Sequence, residues 1–343
     1  MTNYMFAIIL PIYNSGLYLN ECLKSIVSQN YHSFHIIAID DGSTDNSIDI
    51  LNQYKKQYDF LTILRQSNKG VSAARNTALQ YIEDFFPAKF DYVAFIDSDD
   101  VISPNFLSRF YECLYLYNAE YAVCGLQQFT KKGPLPQKLI QVQQQKMNNE
   151  EICLQYFRQQ NKNQIDPTVY AGIATHVFKW DLVRGHRFNN YLKSGEDQQF
   201  IFELLPFIHV GAIIPDQLYH YRLRKSSLSH SDSRNIKDIE LFAHFYFNSD
   251  AYPNEARKNF ENRLLDSWWQ ETRRVYETKG SDKDKKILKE WYKKLISIKY
   301  IGKLDKKYQR RFFLFSLGNI FLTIYFKMRQ NKSKIKMNSE YFD

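Results

Sequence analysis

Apolar runs alternate with helical patterns over the first hundred residues of the chain. Continuous apolar runs are typical of strands in a parallel sheet covered on both faces, whereas apolar residues that recur every three or four positions indicate helices. The predicted strands are Phe6–Ile12, Phe34–Ile39, Leu61–Leu64 and Tyr92–Ile96, and the predicted helices contain Leu19–Val27, Ile48–Lys55 and Ala73–Phe85. This order predicts a parallel sheet with right-handed crossovers, so the carboxyl ends of the four strands share one edge.

Four polar clusters fall on that predicted edge of the sheet. They are Pro11-Ile12-Tyr13-Asn14, Asp40-Asp41, Asn68-Lys69-Gly70 and Asp97-Ser98-Asp99-Asp100. Ligands of open α/β sheets bind outside the carboxyl ends of the strands, and four clusters at one edge are harder to explain by helix capping than one. The pattern therefore predicts a ligand-binding edge.

The fourth cluster has the composition of a metal and phosphate site. Asp97 and Asp99 lie two positions apart and offer hard oxygen ligands to one divalent cation of the kind that accompanies a diphosphate. The alternative is that these carboxylates cap the helix that begins after Pro104, since Asp is a good helix cap.

The middle of the chain has a mixed pattern. Residues Lys131–Gln145 contain two prolines and many glutamines, which predicts a loop or an insertion. Ile213–Pro215 and Leu218–Arg222 are predicted as two short strands. Between these segments, Gly195 is expected to form a turn before a helix that opens with Glu196 and Asp197.

The net charge of +9 is concentrated near the end of the chain, because residues 301–343 carry ten Lys or Arg against three Asp or Glu. The rest of the chain has little basic excess, so we expect no nucleic-acid partner. The four cysteines lack metal-ligand or redox spacing and are expected to be reduced thiols. The first residues show no signal-peptide pattern, which predicts a cytoplasmic protein.

The region beyond Ser233 is predicted to be helical, with Trp268, Trp269 and Trp291 packing the helices together. Within it, Phe312–Phe326 is an apolar segment of 15 residues with basic residues on both sides. The segment is too short to span a bilayer comfortably, but it suits a helix lying on an anionic membrane. The alternative is an ordinary core helix followed by a basic tail.

Five motifs together carry a family resemblance. Pro11-Ile12-Tyr13-Asn14, Asp40-Asp41-Gly42-Ser43-Thr44-Asp45, Asn68-Lys69-Gly70-Val71-Ser72-Ala73-Ala74-Arg75-Asn76, Asp97-Ser98-Asp99-Asp100 and Gly195-Glu196-Asp197 occur in this order. Over roughly residues 5–230 the chain resembles the family 2 glycosyltransferases with the GT-A fold. One departure is Ala78, where relatives usually carry Gly.

The resemblance implies a fold class and a domain organisation. The expected fold is α/β, a GT-A type, Rossmann-like and mostly parallel sheet flanked by helices. The glycosyltransferase domain is expected over residues 1–230, with a nucleotide-binding half at 1–100 and an acceptor half at 101–230. A helical C-terminal region is expected over 231–343, with the membrane-associating tail at about 301–343.

The resemblance also implies inverting transfer from a nucleotide sugar, usually a UDP-sugar. Asp41 matches the residue that accepts a hydrogen bond from uracil, and Pro11 and Tyr13 resemble the wall against which the base lies. Arg75 resembles a residue that reaches the base or the diphosphate, with a salt bridge to Asp40 or Asp41 as the alternative. The further residues expected to bind substrate are Lys69, Ser98, Asp97, Glu196 and Arg222.

For the chemical step, Asp197 matches the family's catalytic base, which takes a proton from the acceptor hydroxyl. Glu196 is expected either to raise the pKa of Asp197 by repulsion or to hydrogen-bond sugar hydroxyls. Asp99 matches the direct ligand of Mn²⁺ or Mg²⁺, Asp97 is its companion, and His220 is a candidate third ligand. Asp100 is expected to be only a helix cap.

The expected acceptor is a lipid-linked glycan of capsule, cell-wall or lipopolysaccharide assembly, read by His176–Phe188 with Trp180 as a candidate stacking residue or a core residue. The enzyme is then expected on the inner face of the cell membrane. A nucleotidyltransferase and a non-catalytic sugar-nucleotide-binding scaffold subunit are the competing hypotheses. The sugar and the oligomeric state stay open.

Overall fold

The protein is represented here by a computed structural model. It describes residues 3–137, 139–157, 166–168, 172–192, 195–224, 252, 254–277, 281–297, 306–318, 322 and 325–326. Most of the C-terminal tail predicted at about 301–343 lies outside these residues. The chain divides into two compact units, Met1–Ser231 with Ala251–Ala256, and Asp232–Asp250 with Arg257–Asp343.

The first part of the chain alternates strands and helices. The elements are β1 Phe6–Ile12, α1 Gly16–Val27, β2 Phe34–Asp40, α2 Ser47–Lys55, β3 Leu61–Arg65, α3 Val71–Phe85 and β4 Tyr92–Phe95. Every residue of β1, β2 and β4 is buried, which is why these strands read as continuous apolar runs. The four strands pair in parallel in the order β3, β2, β1, β4, so the predicted shared edge exists.

The remaining strands extend this sheet. The elements that follow are β5 Val101–Ile102, α4 Phe106–Tyr117, β6 Tyr121–Thr130, β7 Gly133–Pro134, β8 Gln145–Asn148, α5 Asn149–Phe157, β9 His176–Lys179, α6 Trp180–Val183, α7 Glu196–Leu204 and β10 Val210–Arg222. The path continues from β4 through β9, β6 and β10 to β5, while β7 pairs with β6 and β8 with β10. Strand β9 is antiparallel to both of its neighbours.

Two predictions for the middle of the chain need correction. The predicted strands Ile213–Pro215 and Leu218–Arg222 form one strand, β10, whose pairing with β6 shifts register between Ile214 and Tyr219. Pro215 lies within this irregularity, as expected for a residue that has no N–H to donate to a sheet. The predicted loop Lys131–Gln145 contains β7, and its last residue begins β8.

The second unit is formed by helices in the residues described. They are α8 Asn254–Glu277, α9 Asp282–Ser297 and α10 Lys306–Ser316, of which α8 begins in the first unit. Trp268 and Trp269 are buried and pack against aromatic residues that include Phe312 and Phe326, so the predicted packing role of these two tryptophans is confirmed. The side chain of Trp291 lies outside the description. No described helix is long and apolar enough to cross a membrane.

Candidate active site

The loop after β2 is held in place by hydrogen bonds to Asp40 and Asp41. Asp41 is 3% exposed, and its carboxylate accepts hydrogen bonds from the backbone N–H groups of Lys69 and Gly70, at 2.9 and 2.8 Å, and from the Gln66 side chain at 2.7 Å. Asp40 is fully buried and accepts from the Ser43 N–H and from Arg65. The two carboxylates thereby fix the loops that line this edge of the sheet.

The residues expected at the nucleotide base differ in exposure. Pro11 is buried within β1, where it is aligned with Ile39 of β2, whereas the Tyr13 side chain is 49% exposed. The Lys69 side chain is also exposed. A carboxylate has about four lone-pair sites, so Asp41 keeps acceptor capacity beyond its three present bonds. At this edge of the sheet the side chains of Tyr13 and Lys69 are therefore open to solvent, and the Asp41 carboxylate is held by hydrogen bonds beneath the surface.

The Asp97–Asp100 segment forms a tight turn rather than a helix cap. The N–H of Asp100 donates to the Asp97 carbonyl at 3.0 Å, and helix α4 begins later, with Asn105 as its cap residue. Ser98 is 7% exposed, and its hydroxyl lies 2.6 Å from the hydroxyl of Ser15. The capping alternative for this cluster is therefore wrong.

Asp100 has a structural role other than the helix cap that the sequence predicted. It is 1% exposed and accepts hydrogen bonds from the Tyr219 hydroxyl and from the Arg222 N–H, both at 2.7 Å. Burial raises the pKa of Asp100 well above its usual range, and the charges of Asp99 and Asp97 add to this shift. Through these two hydrogen bonds, the buried Asp100 holds the Asp97–Asp100 turn against β10.

Arg75 joins the two halves of the site. Its side chain is 2% exposed, and its Nη2 lies 2.9 Å from Asp97 while its Nη1 lies 2.5 Å from Asp197 and 3.6 Å from Glu196. Burial alone would lower the pKa of this guanidinium, but the three carboxylates raise it above its usual value. The alternative expectation of a salt bridge to Asp40 or Asp41 is not what forms.

Asp197 is held at the start of α7 by two elements. Gly195 precedes the helix with a φ of 86°, a conformation that favours glycine, and this places both acidic residues in the first turn. Besides its pairing with Arg75, the Asp197 carboxylate accepts the Ile173 N–H at 3.1 Å. Its side chain is 20% exposed, so one part of it stays accessible.

Glu196 has a raised proton affinity in the folded protein. Burial raises the pKa of Glu196 to about 7, and repulsion by Asp197 adds to the shift while Arg75 opposes it. At neutral pH a fraction of Glu196 is therefore protonated and can donate a hydrogen bond. The repulsion expected within the acidic pair is thus one cause of the raised pKa of Glu196.

Two arginines surround Asp99, and the sequence analysis named only one of them. The Arg222 Nε donates to the Asp99 carbonyl at 2.7 Å, and its other end pairs with Glu21 at 2.6 Å. Arg224, which was missed, pairs with the Asp99 carboxylate directly. The sequence could have indicated Arg224, because it lies two positions after Arg222. Residues two positions apart in an extended segment face the same side.

The predicted metal ligands are not brought together as a set of three. His220 Nε2 lies 2.8 Å from the Ser103 hydroxyl in the pairing of β10 with β5, and burial lowers its pKa. Among the described residues, no three His, Cys, Asp or Glu side chains form a ready metal-binding group. The candidate donors that remain are the carboxylates of Asp97 and Asp99.

These two carboxylates fit a divalent cation. Burial raises the pKa of Asp99, repulsion by Asp97 adds to it, and Arg224 opposes it. Burial also raises the pKa of Asp97, against the effect of Arg75. Two mutually repelling carboxylates are stabilised by added positive charge, and Mg²⁺ is commonly held by one or two carboxylates together with substrate phosphates.

The segment expected to read the acceptor, His176–Phe188, is partly buried. Trp180 is 2% exposed, as is His176, so of the two expectations for Trp180 the core residue is the one observed. Further along, Phe188 stacks on Phe200 and lies under the Arg75 guanidinium at 5.1 Å. Tyr191 is 96% exposed.

Residues 7–181, just over half of the chain, match the family model described as glycosyl transferase family 2. The chain belongs to glycosyltransferase family 2. This confirms the family resemblance and the predicted enzyme class. It also removes the basis for the nucleotidyltransferase alternative.

The chain is similar to a curated glycosyltransferase and to a solved structure. A poly(ribitol-phosphate) beta-glucosyltransferase of Bacillus spizizenii is 28% identical over 226 residues, covering 64% of this chain and 32% of that protein. The match thus spans about a third of that relative's length. Among solved structures, S. aureus TarS 1–349 in complex with UDP-GlcNAc has a TM-score of 0.61 and 19% identity, over 90% of this chain and 78% of that one.

A second similar structure contains a different nucleotide sugar. Mannosyltransferase PcManGT from Pyrobaculum calidifontis, in complex with GDP-Man and Mn²⁺, has a TM-score of 0.55 and 14% identity, over 94% of this chain and 86% of that one. Identities this low carry the fold alone. The two structures confirm the predicted GT-A type α/β fold of this family 2 member.

Proposed function

We propose that this family 2 glycosyltransferase moves a sugar from a UDP-sugar to a hydroxyl of an acceptor in cell-surface polymer synthesis, with inversion at the anomeric carbon. The observation that carries the proposal is the Arg75 bridge. One buried guanidinium contacts Asp97, on the metal and diphosphate side, and Asp197, on the side proposed for the base. A donor-binding carboxylate and a base held by one side chain suit a single displacement.

In this displacement, Asp197 takes the proton of the acceptor hydroxyl as its oxygen attacks the anomeric carbon. The new C–O bond forms on the face opposite the bond to the diphosphate, which breaks with its electron pair going to the diphosphate oxygen. Attack from the opposite face inverts the anomeric configuration. Glu196, with its pKa raised to about 7, is suited to hydrogen-bond a sugar hydroxyl beside the base.

Asp97 and Asp99 are proposed to hold Mn²⁺ or Mg²⁺, which when bound offsets the charge that develops on the leaving diphosphate. The chain's own cations at that end of the site are Arg222 and Arg224. Both contact Asp99, one at its carbonyl and one at its carboxylate. A planar guanidinium fork is matched to phosphate oxygens, so these arginines are placed to bind a diphosphate beside the metal.

The nucleotide is proposed to lie along the braced loops after β1 and β2. Tyr13 supplies an exposed aromatic face for the base, beside Pro11, and Asp41 supplies an acceptor for the uracil imide. Lys69 and Ser98 are proposed to contact the donor as well. The UDP-GlcNAc complex of the similar S. aureus TarS and the GDP-Man complex of PcManGT both support a nucleotide sugar as the donor, and the proposal of UDP rests on Asp41.

The acceptor is proposed to be a hydroxyl of a cell-surface polymer, a lipid-linked glycan being the form that the sequence predicts. The similarity to a poly(ribitol-phosphate) beta-glucosyltransferase supports a polymer of this general kind. A lipid-linked acceptor would place the enzyme on the inner face of the cell membrane.

A donor screen tests the proposal. UDP-, GDP- and dTDP-sugars carrying a radiolabelled sugar are incubated with the protein, with Mn²⁺, and with membranes as the acceptor source. We expect label to enter the polymer fraction from a UDP-sugar alone, and the Asp197→Asn variant to bind UDP but to transfer label at least about a hundredfold more slowly. If the wild type binds the UDP-sugar but transfers no label under single-turnover conditions, this would instead support the non-catalytic scaffold. Transfer from a GDP-sugar would contradict the donor assignment.

A further inference from the structure

Helix α10 has one buried face and one exposed face. Tyr308, Phe312 and Phe315 are buried in the aromatic core of the second unit. The outer stripe is defined as Lys306, Arg310, Phe313 and Leu317, with a spacing of four, three and four. Its first three residues lie along one side of α10, and Leu317 follows directly after the helix ends at Ser316. All four of its residues are exposed, Phe313 at 64% and Leu317 at 40%.

The buried face corrects part of the prediction for Phe312–Phe326. Phe312, Phe315, Leu322 and Phe326 fill the core of the second unit, so the core alternative holds for these residues. A helix that presents the whole apolar segment to a membrane would have to unpack this core. What remains available to a partner is the outer stripe.

The cations of α10 divide in the same way. Lys307 lies 2.9 Å from Asp266, and Arg311 also pairs with Asp266, so these two serve the second unit itself. Lys306 and Arg310 form no ion pair with any carboxylate in the described part of the chain. No acidic residue lies in the first turn, where cations oppose the helix dipole, so local helix stability does not account for Lys306.

We propose that the outer stripe of α10 docks on an anionic lipid bilayer. Phe313 and Leu317 would enter the boundary between headgroups and acyl chains, and Lys306 and Arg310 would lie at the level of the anionic headgroups. The sequence that follows carries further cations, at Lys327, Arg329, Lys332, Lys334 and Lys336, which adds to the attraction between this end of the chain and an anionic surface. A second copy of the chain fits less well, because self-association through this stripe would bring its cations together.

Vesicle flotation of the full chain tests this proposal. Wild-type protein is mixed with vesicles of phosphatidylglycerol and phosphatidylcholine, or of phosphatidylcholine alone. We expect flotation with the anionic vesicles only, weakened by added salt. The charge variant Lys306→Glu/Arg310→Glu should bind about thirtyfold more weakly or worse, since each Lys or Arg near an anionic surface contributes about fivefold. The apolar variant Phe313→Ser/Leu317→Ser should lose roughly tenfold or more.

Matched controls separate the stripe from general surface effects. Leu116→Ser removes an apolar side chain that is 65% exposed on α4, and Lys131→Glu/Lys132→Glu makes the same charge change at an exposed turn. Both should float as wild type does. Circular dichroism and melting temperature show whether each variant is folded.

Three results would overturn the docking proposal. They are equal flotation with neutral vesicles, no flotation of the wild type, or flotation of both folded stripe variants at the wild-type level. A stripe-dependent dimer in size-exclusion chromatography, without flotation, would assign the surface to a second copy. Turnover of a UDP-sugar without vesicles should be unchanged in the stripe variants, so a failure here leaves the proposed function standing.

Discussion

Arg75 and Asp197 are paired at 2.5 Å although 122 positions separate them in the chain. The same guanidinium holds Asp97 at 2.9 Å, so the position of the proposed base depends on the position of a proposed donor-binding residue. A buried planar fork with two carboxylate partners is a rigid spacer between them. We expect this spacing to matter more for the chemical step than for donor binding.

Arg75→Lys should therefore lower kcat for transfer by about a hundredfold or more, while the Kd for UDP changes by a smaller factor. A lysine keeps the positive charge but presents one ammonium instead of a fork, so it cannot hold both carboxylates at their present separation. Transfer assays and UDP titration calorimetry measure the two quantities. Arg109→Lys, which changes an arginine paired with Glu112 and Asp216 at the surface, is the matched control. Unchanged kcat in Arg75→Lys would contradict the spacer role.

The raised pKa of Glu196 predicts that the stability of the protein depends on pH. Its pKa is raised to about 7 in the folded protein from an ordinary value of about 4.5, so between these values the folded state binds more protons than the unfolded state. The contribution of Glu196 to stability therefore falls as pH rises through this window. Glu196→Gln removes the titration, and its melting temperature relative to wild type should rise from pH 4.5 to pH 8. A difference that stays constant with pH would show that Glu196 is not shifted.

Asp99→Asn tests the proposed metal site. Loss of one of two carboxylate ligands should weaken Mn²⁺-dependent UDP binding by about tenfold or more, measured as the shift in melting temperature on adding Mn²⁺ with UDP. Asp216→Asn removes an ion-paired carboxylate that is 45% exposed outside the site, and should keep the wild-type shift. Equal shifts in the two variants would exclude Asp99 as a ligand.

Tyr219 supports the site from the interior. Its hydroxyl donates to Asp100 at 2.7 Å and accepts the Asp97 N–H at 3.2 Å. Tyr219→Phe leaves both groups without this partner, so the free energy of unfolding should fall by about 1–3 kcal/mol in urea titrations. Tyr115→Phe, at a side chain 47% exposed, should cost far less. A loss of activity at unchanged stability would mean that Tyr219 acts in the reaction itself.

The first four strands were predictable because each is a continuous apolar run buried on both faces, and their ends differ from the prediction by at most one residue. Their parallel order then placed Asp41, Lys69 and Asp97 at one edge. Strand β9 and the single bulged β10 were not predictable in this way. Short or irregular strands have weak patterns, and their pairing depends on distant segments.

The partners of the site residues were the least predictable part. The sequence shows that Arg75 and Asp197 belong to motifs, but not that they touch, because pairing over 122 positions is a property of the fold. Arg224 was missed although its spacing from Arg222 places both on one side of the chain. In α10, the helical period was readable, but the burial of Phe312 and Phe315 depends on packing against Trp268.

The most direct test of the central claim compares Asp197→Asn with wild type in single-turnover transfer from a saturating UDP-sugar. The variant keeps the shape of the side chain and loses the base, so the rate of transfer should fall by a factor of about a hundred to ten thousand while the Kd for UDP stays within a few-fold. Transfer at close to the wild-type rate would contradict the account, because Asp197 would then not be the base.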